Sequence, residues 1–108
     1  MAPWKIKTID DLWDHIAYVL LYAPDQFPHE DFLPNDQQMN LERAFDELRR
    51  GISIAYPNDF SPEKRTILNE ILDKSYSKYK SGNDVEAGHL LNEFEDSIFK
   101  KSPDNNLH

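Results

Sequence analysis

Hydrophobic residues recur along this chain at helical spacing in four stretches, separated by prolines, glycines and asparagines. In the first, Ile9, Leu12, Trp13, Ile16, Val19 and Leu20 fall on one side of a projection at about 100° per residue, a stripe wide enough to face a core. The opposite side carries Asp11, Asp14, Tyr18 and Tyr22, so the projection sends Trp13 inward and two tyrosines outward. Thr8 is placed to cap this helix, Asp10 and Asp11 suit its positive end, and Pro24 sets its limit near Tyr22. A second helix is expected from Asn35 or Asp36, with Leu41, Ala44, Phe45, Leu48, Ile52 and Ala55 on one face. Glu42 and Asp46, Arg43 and Glu47, and Asp46 and Arg50 stand a turn apart on its solvent face. Gly51 weakens its end, and Ile52 to Tyr56 can be read as helical or extended before Pro57.

Ser61-Pro62-Glu63 predicts the start of a third helix, because serine caps and proline belongs at the first helical position. It should run to about Ser81, with Leu68, Ile71, Leu72 and Tyr79 on one face, Ile67 and Tyr76 beside it, and Gly82 as the stop. Asn83 and Glu86 then resemble a capping box for a fourth helix, whose inward stripe is Ala87, Leu90, Leu91, Phe94 and Ile98. Between Ala23 and Asn35, Pro24, Pro28 and Pro34 allow no regular period, and a connection this long needs its own apolar anchor, Phe27 or Phe32. The pattern predicts an all-α chain, an antiparallel four-helix bundle with a long proline-rich loop between helices 1 and 2. One domain over residues 1–101 is expected, with Trp4 of the lead-in packing back onto it and a frayed tail over 102–108. At 108 residues a chain can enclose one core.

Charge changes this picture most in one place. The chain has 20 acidic residues against 12 Lys and Arg, a net charge of −8. Asp10, Asp11, Asp14, Asp25, Glu30, Asp31, Asp36 and Glu42 all lie between Thr8 and Glu42, where there is no Lys or Arg. Elsewhere acids and bases balance, so the net charge is local. Interleaved aromatics, Trp13, Tyr18, Tyr22, Phe27 and Phe32, make the same stretch suited to a basic partner. Direct nucleic-acid binding, which rests on Lys and Arg, is disfavoured. The absence of cysteine removes disulfide, thiol and Cys-zinc chemistry and fits a reducing compartment. With no membrane-length apolar run and no export pattern, the expected location is cytoplasmic.

Catalytic chemistry finds little support. Asp10-Asp11-Leu12-Trp13-Asp14 spells the DDxxD pattern of isoprenoid synthases, but those enzymes enclose a large helical cavity for which this chain has no room. Asp11 with His15, and His89 with Glu93, each offer two metal ligands one turn apart, fewer than a site needs, and read as solvated helix positions. No nucleophile or glycine-rich phosphate cradle accompanies the carboxylates. Neither enzyme activity, nor a metal, nor a cofactor is expected.

The strings Trp13-Asp14-His15-Ile16 through Pro24-Asp25-Gln26-Phe27-Pro28, and Gly88-His89-Leu90-Leu91-Asn92-Glu93-Phe94-Glu95-Asp96, resemble small immunity proteins of bacterial polymorphic toxin systems. Those of contact-dependent growth inhibition are the type most similar. The likeness runs in general style from Trp4 to Phe99 and departs from the pattern of colicin nuclease immunity proteins, which are also acidic and helical. It implies a cytoplasmic protein that binds and neutralises one cognate toxin domain, often a nuclease. Helical projection supplies the candidate binding residues: Asp11, Asp14, Tyr18 and Tyr22 from the first helix, with Asp25, Glu30 and Asp31 from the loop. An intracellular adaptor or regulatory subunit that binds a basic protein through the same face is the alternative.

Overall fold

The computed structural model describes residues 5–57 and 62–99. Trp4, Ser61 and the 102–108 tail, each given a role by the sequence, lie outside the described residues. Four α-helices, α1 (Ile9–Tyr22), α2 (Leu41–Ala55), α3 (Pro62–Lys80) and α4 (Asp84–Phe99), pack as a helical bundle, with no strand among the described residues.

Helix α1 begins where the sequence placed it. Thr8 Oγ1 accepts from the Asp11 N–H (3.1 Å), and Asp11 returns the bond by accepting from the Thr8 N–H (3.1 Å). This reciprocal arrangement satisfies two donors that a helix start leaves open. At the far end the Ala23 N–H donates to the Val19 carbonyl before Pro24 stops the ladder.

The start of α2 differs from expectation. Asn35–Gln37 forms a separate 3₁₀ turn, and α2 begins at Leu41, where Asn40 Oδ1 accepts from the Arg43 N–H (2.8 Å). The reason is Gln38. Its side chain is bound back to Glu30 and Leu33, and its own backbone is extended (φ −70°, ψ 153°), so no helix can pass through it. The other end settles the choice between helix and extended chain: α2 continues through Ala55, and the Tyr56 N–H makes its last helical bond to the Ile52 carbonyl (2.8 Å).

Helix α3 closes on Gly82, whose φ of +87° is a conformation glycine adopts without penalty. The Asn83 N–H reaches the Lys78 carbonyl (2.8 Å) and the Gly82 N–H the Tyr79 carbonyl (3.2 Å), the paired bonds of a Schellman stop. Glu86, expected to return to the Asn83 backbone, pairs instead with Lys78 Nζ (3.1 Å) and ties α4 to α3.

The core is drawn from all four helices, with Leu12, Ile16, Phe45, Leu48, Leu68, Leu72, Leu91 and Phe94 fully buried. Ile6, in the lead-in, is buried as well, and its N–H donates to Glu47 (2.9 Å). Ser75 is buried but satisfied, donating to the Ala87 carbonyl (2.9 Å). On the surface of α2 the ion pairs run at three-residue spacing, Asp46 with Arg49 and Glu47 with Arg50, and Arg49 reaches Asp73 of α3 (2.8 Å). Arg43 donates to the Asp36 carbonyl.

The inward face of α1 is turned from its projected position by roughly half of one 100° step. Trp13, projected inward, is 47% exposed and meets the Phe99 ring edge-on at 4.8 Å. His15, projected as a solvated position, is only 5% exposed. Two contacts with α2 fix this rotation. Leu12 packs against Gly51, and His15 Nε2 lies 3.0 Å from the Ala44 carbonyl.

Candidate partner-binding surface

Asp11, His15, Tyr18 and Tyr22, at four- and three-residue spacing, form one row along α1, and Tyr18 meets the 23–40 segment at Phe27. The His15 and Tyr18 rings stack at 5.9 Å, and Tyr22 meets Tyr18 edge-on at 5.2 Å. Phe27 adds a fourth ring 5.6 Å from Tyr18 and packs partly buried against the core. It is therefore the anchor of the loop, whereas Phe32 is 69% exposed.

The loop is also held by one side chain. Gln38 Oε1 accepts from the Glu30 N–H (2.8 Å), and its Nε2 donates to the carbonyls of Glu30 (2.8 Å) and Leu33 (2.9 Å). That clasp fixes Glu30 beside the aromatic row. Burial, and then the Glu30 charge, raise the Tyr18 phenol above its ordinary pKa of 10.0.

The seven candidate residues are thus partly brought together. Tyr18, Tyr22 and Glu30 form one cluster with Phe27. Asp14, Asp25 and Asp31 are exposed around it, Asp25 accepting from Gln26 (3.4 Å) and Asp31 beside His29 (3.4 Å). Asp11 sits about 16 Å along the axis from Tyr22, and its carboxylate already accepts from the Lys7 and Thr8 N–H groups. The Lys7 bond is the main reason its pKa lies below 3.8. Asp11 is therefore first a structural residue. Tyr18 was projected outward and is half-buried, its hydroxyl oxygen enclosed without a hydrogen-bond partner among the described residues. Two contributors escaped the sequence reading. His15 carries no hydrophobic signal, and nothing local marks Gln38 as a clasp.

Two expected results follow from this geometry. Removing the unpartnered hydroxyl in Tyr18→Phe should leave stability unchanged or raise it by up to about 1 kcal/mol in urea unfolding. A marked loss would show that the hydroxyl is bonded after all. For His15, burial holds the pKa below 6.5, opposed by the Ala44 carbonyl and the Glu47 charge. The unfolded chain takes up a proton near pH 6.5 and the folded chain only at lower pH. Stability is therefore complete above 6.5 and declines as pH falls from there towards the folded value, by about 1.4 kcal/mol for each unit of separation. Urea midpoints at pH 7.5 and 5.5 should differ less in His15→Gln than in the unaltered chain, and equal differences would remove His15 from the pH response.

Among the described residues no group of three or more His, Asp and Glu side chains is placed to hold an ion. Asp11 and His15 are both engaged with backbone groups, while His89 and Glu93 are exposed on α4. No helix among the described residues is long and apolar enough to cross a membrane. No family model matches the chain, and neither a curated protein nor a solved structure matches it.

Proposed function

We propose that this chain acts by binding rather than catalysis, as a cytoplasmic immunity protein that neutralises a cognate toxin domain, a basic protein such as a nuclease. The observation that carries the reading is the aromatic cluster of Tyr18, Tyr22 and Phe27, with the Glu30 charge acting on Tyr18 and with exposed Asp14, Asp25 and Asp31 on the same helix and loop. No Lys or Arg interrupts this strip from Thr8 to Glu42. Rigid rings provide contact area at small entropic cost, and the surrounding carboxylates steer a basic partner and fix its register. The toxin itself enters from the sequence resemblance.

The strip gains rigidity from its setting. Leu12 against Gly51 and His15 against Ala44 support an antiparallel α1 and α2, and Ser75 against Ala87 with Lys78 against Glu86 supports the same for α3 and α4. With the proline-rich segment clasped by Gln38, loop and helix present one surface.

The test pairs this chain with each candidate toxin domain found encoded beside its gene, scored by survival on co-expression and by calorimetry at two salt concentrations. Asp14→Asn, Asp25→Asn and Asp31→Asn combined should weaken binding by about tenfold at low salt and less at high salt, since each exposed pair is worth about 0.2–1 kcal/mol. Tyr22→Ala should weaken it at both. Unchanged affinity in both variants removes the strip from the interface, and survival independent of this chain rejects neutralisation.

A further inference from the structure

A different face of α1 carries a second surface. Ile9, Trp13, Ala17 and Leu21 recur every four residues, and all four are exposed. Such a row is a ridge of the kind that seats in the groove of another helix, about 18 Å long here. No described helix covers it. Helix α4 runs alongside, touching at Trp13–Phe99 and again where Leu20 Cδ2 comes within 3.8 Å of the site of a Gly88 side chain. These contacts set Val85, 73% exposed, at the same end of the seam as Leu21, 70% exposed. Of the adjacent helix pairs, α1 and α4 meet most sparsely. Exposed Ala17 and the side-chain-free Gly88 leave little to fill the middle.

Charge identifies the occupant. Neither α1 nor α4 contains a Lys or Arg, while Asp10, Asp11 and Asp14 lie on one and Asp84, Glu86, Glu93, Glu95 and Asp96 on the other. Glu95, which shares the Gly88–Phe99 face of α4, is half-buried, and burial together with the Asp96 charge raises its pKa. A second copy would set acid against acid, and an anionic membrane would be repelled. We propose that the α1–α4 seam docks a basic amphipathic helix of a protein partner. The apolar stripe of that helix would lie along Trp13, Ala17, Leu21 and Val85, with its Lys or Arg side chains towards Asp10, Glu95 and Asp96. This proposal does not depend on the Tyr18–Tyr22 strip, and either surface can fail alone.

The probe is a synthetic 16-residue helical peptide with a leucine stripe and lysines elsewhere, compared with one whose stripe is alanine. Trp13 emission is read in a Trp4→Phe background. The leucine peptide should bind saturably with a blue shift, and the alanine peptide at least about tenfold more weakly, as lost apolar burial requires. Leu21→Ser with Val85→Ser, both exposed and checked for folding by circular dichroism, should weaken the leucine peptide by about fivefold or more, while Tyr22→Ala leaves it unchanged. Equal binding of the two peptides would reduce the effect to charge alone and overturn the proposal. So would full binding by the double variant, stronger binding to phosphatidylcholine or phosphatidylglycerol vesicles, or concentration-dependent dimerisation that the double variant abolishes.

Discussion

Phe45→Ala is expected to lower the unfolding free energy by about 3–5 kcal/mol, whereas Phe32→Ala should leave it within about 0.5 kcal/mol. Phe45 is fully buried on α2, with edge-on ring contacts to Tyr76 at 5.4 Å and Tyr79 at 6.0 Å. Truncation removes its burial and leaves a cavity between α2 and α3, which the packed helices can only partly close. A domain of this size has only about 5–15 kcal/mol in total, so the variant should show much of its population unfolded in mild urea. Phe32 stands 69% exposed on the clasped loop, with little burial to lose. Urea unfolding of the two variants compares two positions that composition alone makes equal. A small loss at Phe45 would mean that α2 and α3 are not joined through its ring.

Gly51→Val should cost about 2–3 kcal/mol even though glycine is the poorer helix former. A Cβ at this position would strike Leu12 Cδ1, with Cδ2 and Cγ only 3.0 Å away. Leu12 is fully enclosed, so its side chain has nowhere to swing and α1 must be pushed off α2. Alanine at 51 should cost less, about 1 kcal/mol, because the gain of about 1 kcal/mol in helix propensity offsets part of the clash. Leu12→Ala by itself should cost about 2–5 kcal/mol, yet combined with Gly51→Val the loss should fall short of the sum by about 1–2 kcal/mol. Strict additivity in that cycle would place the two residues out of contact.

These results bear on what the sequence could and could not reveal. The four helices were legible because each has a one-sided apolar period and at least one clear boundary residue, such as Thr8 or Gly82. The rotation of α1 was not. A projection weighted by hydrophobicity draws Trp13 inward, but the buried meridian is chosen by docking on α2, where the missing side chain of Gly51 admits Leu12 and a carbonyl accepts His15. Both determinants are long-range. The start of α2, expected at Asn35 or Asp36, was missed for a related reason: Gln38, whose partners are five and eight residues away, holds the chain extended and moves the start to Leu41. Within the candidate surface, Asp14, Asp25 and Asp31 are exposed, and Tyr22 is half-buried. Tyr18 turned half inward with the helix, and Asp11 was already occupied by the cap.

The Gln38 clasp separates the shape of the loop from its identity. All three of its bonds go to main-chain atoms, so the side chains of Glu30, Asp31, Phe32 and Leu33 take no part in them. Those side chains can therefore be changed while the loop keeps its path. Randomising Asp31 and Phe32 while Gln38 is retained should yield folded chains, and on the proposed binding function these would differ in recognition without a rebuilt scaffold.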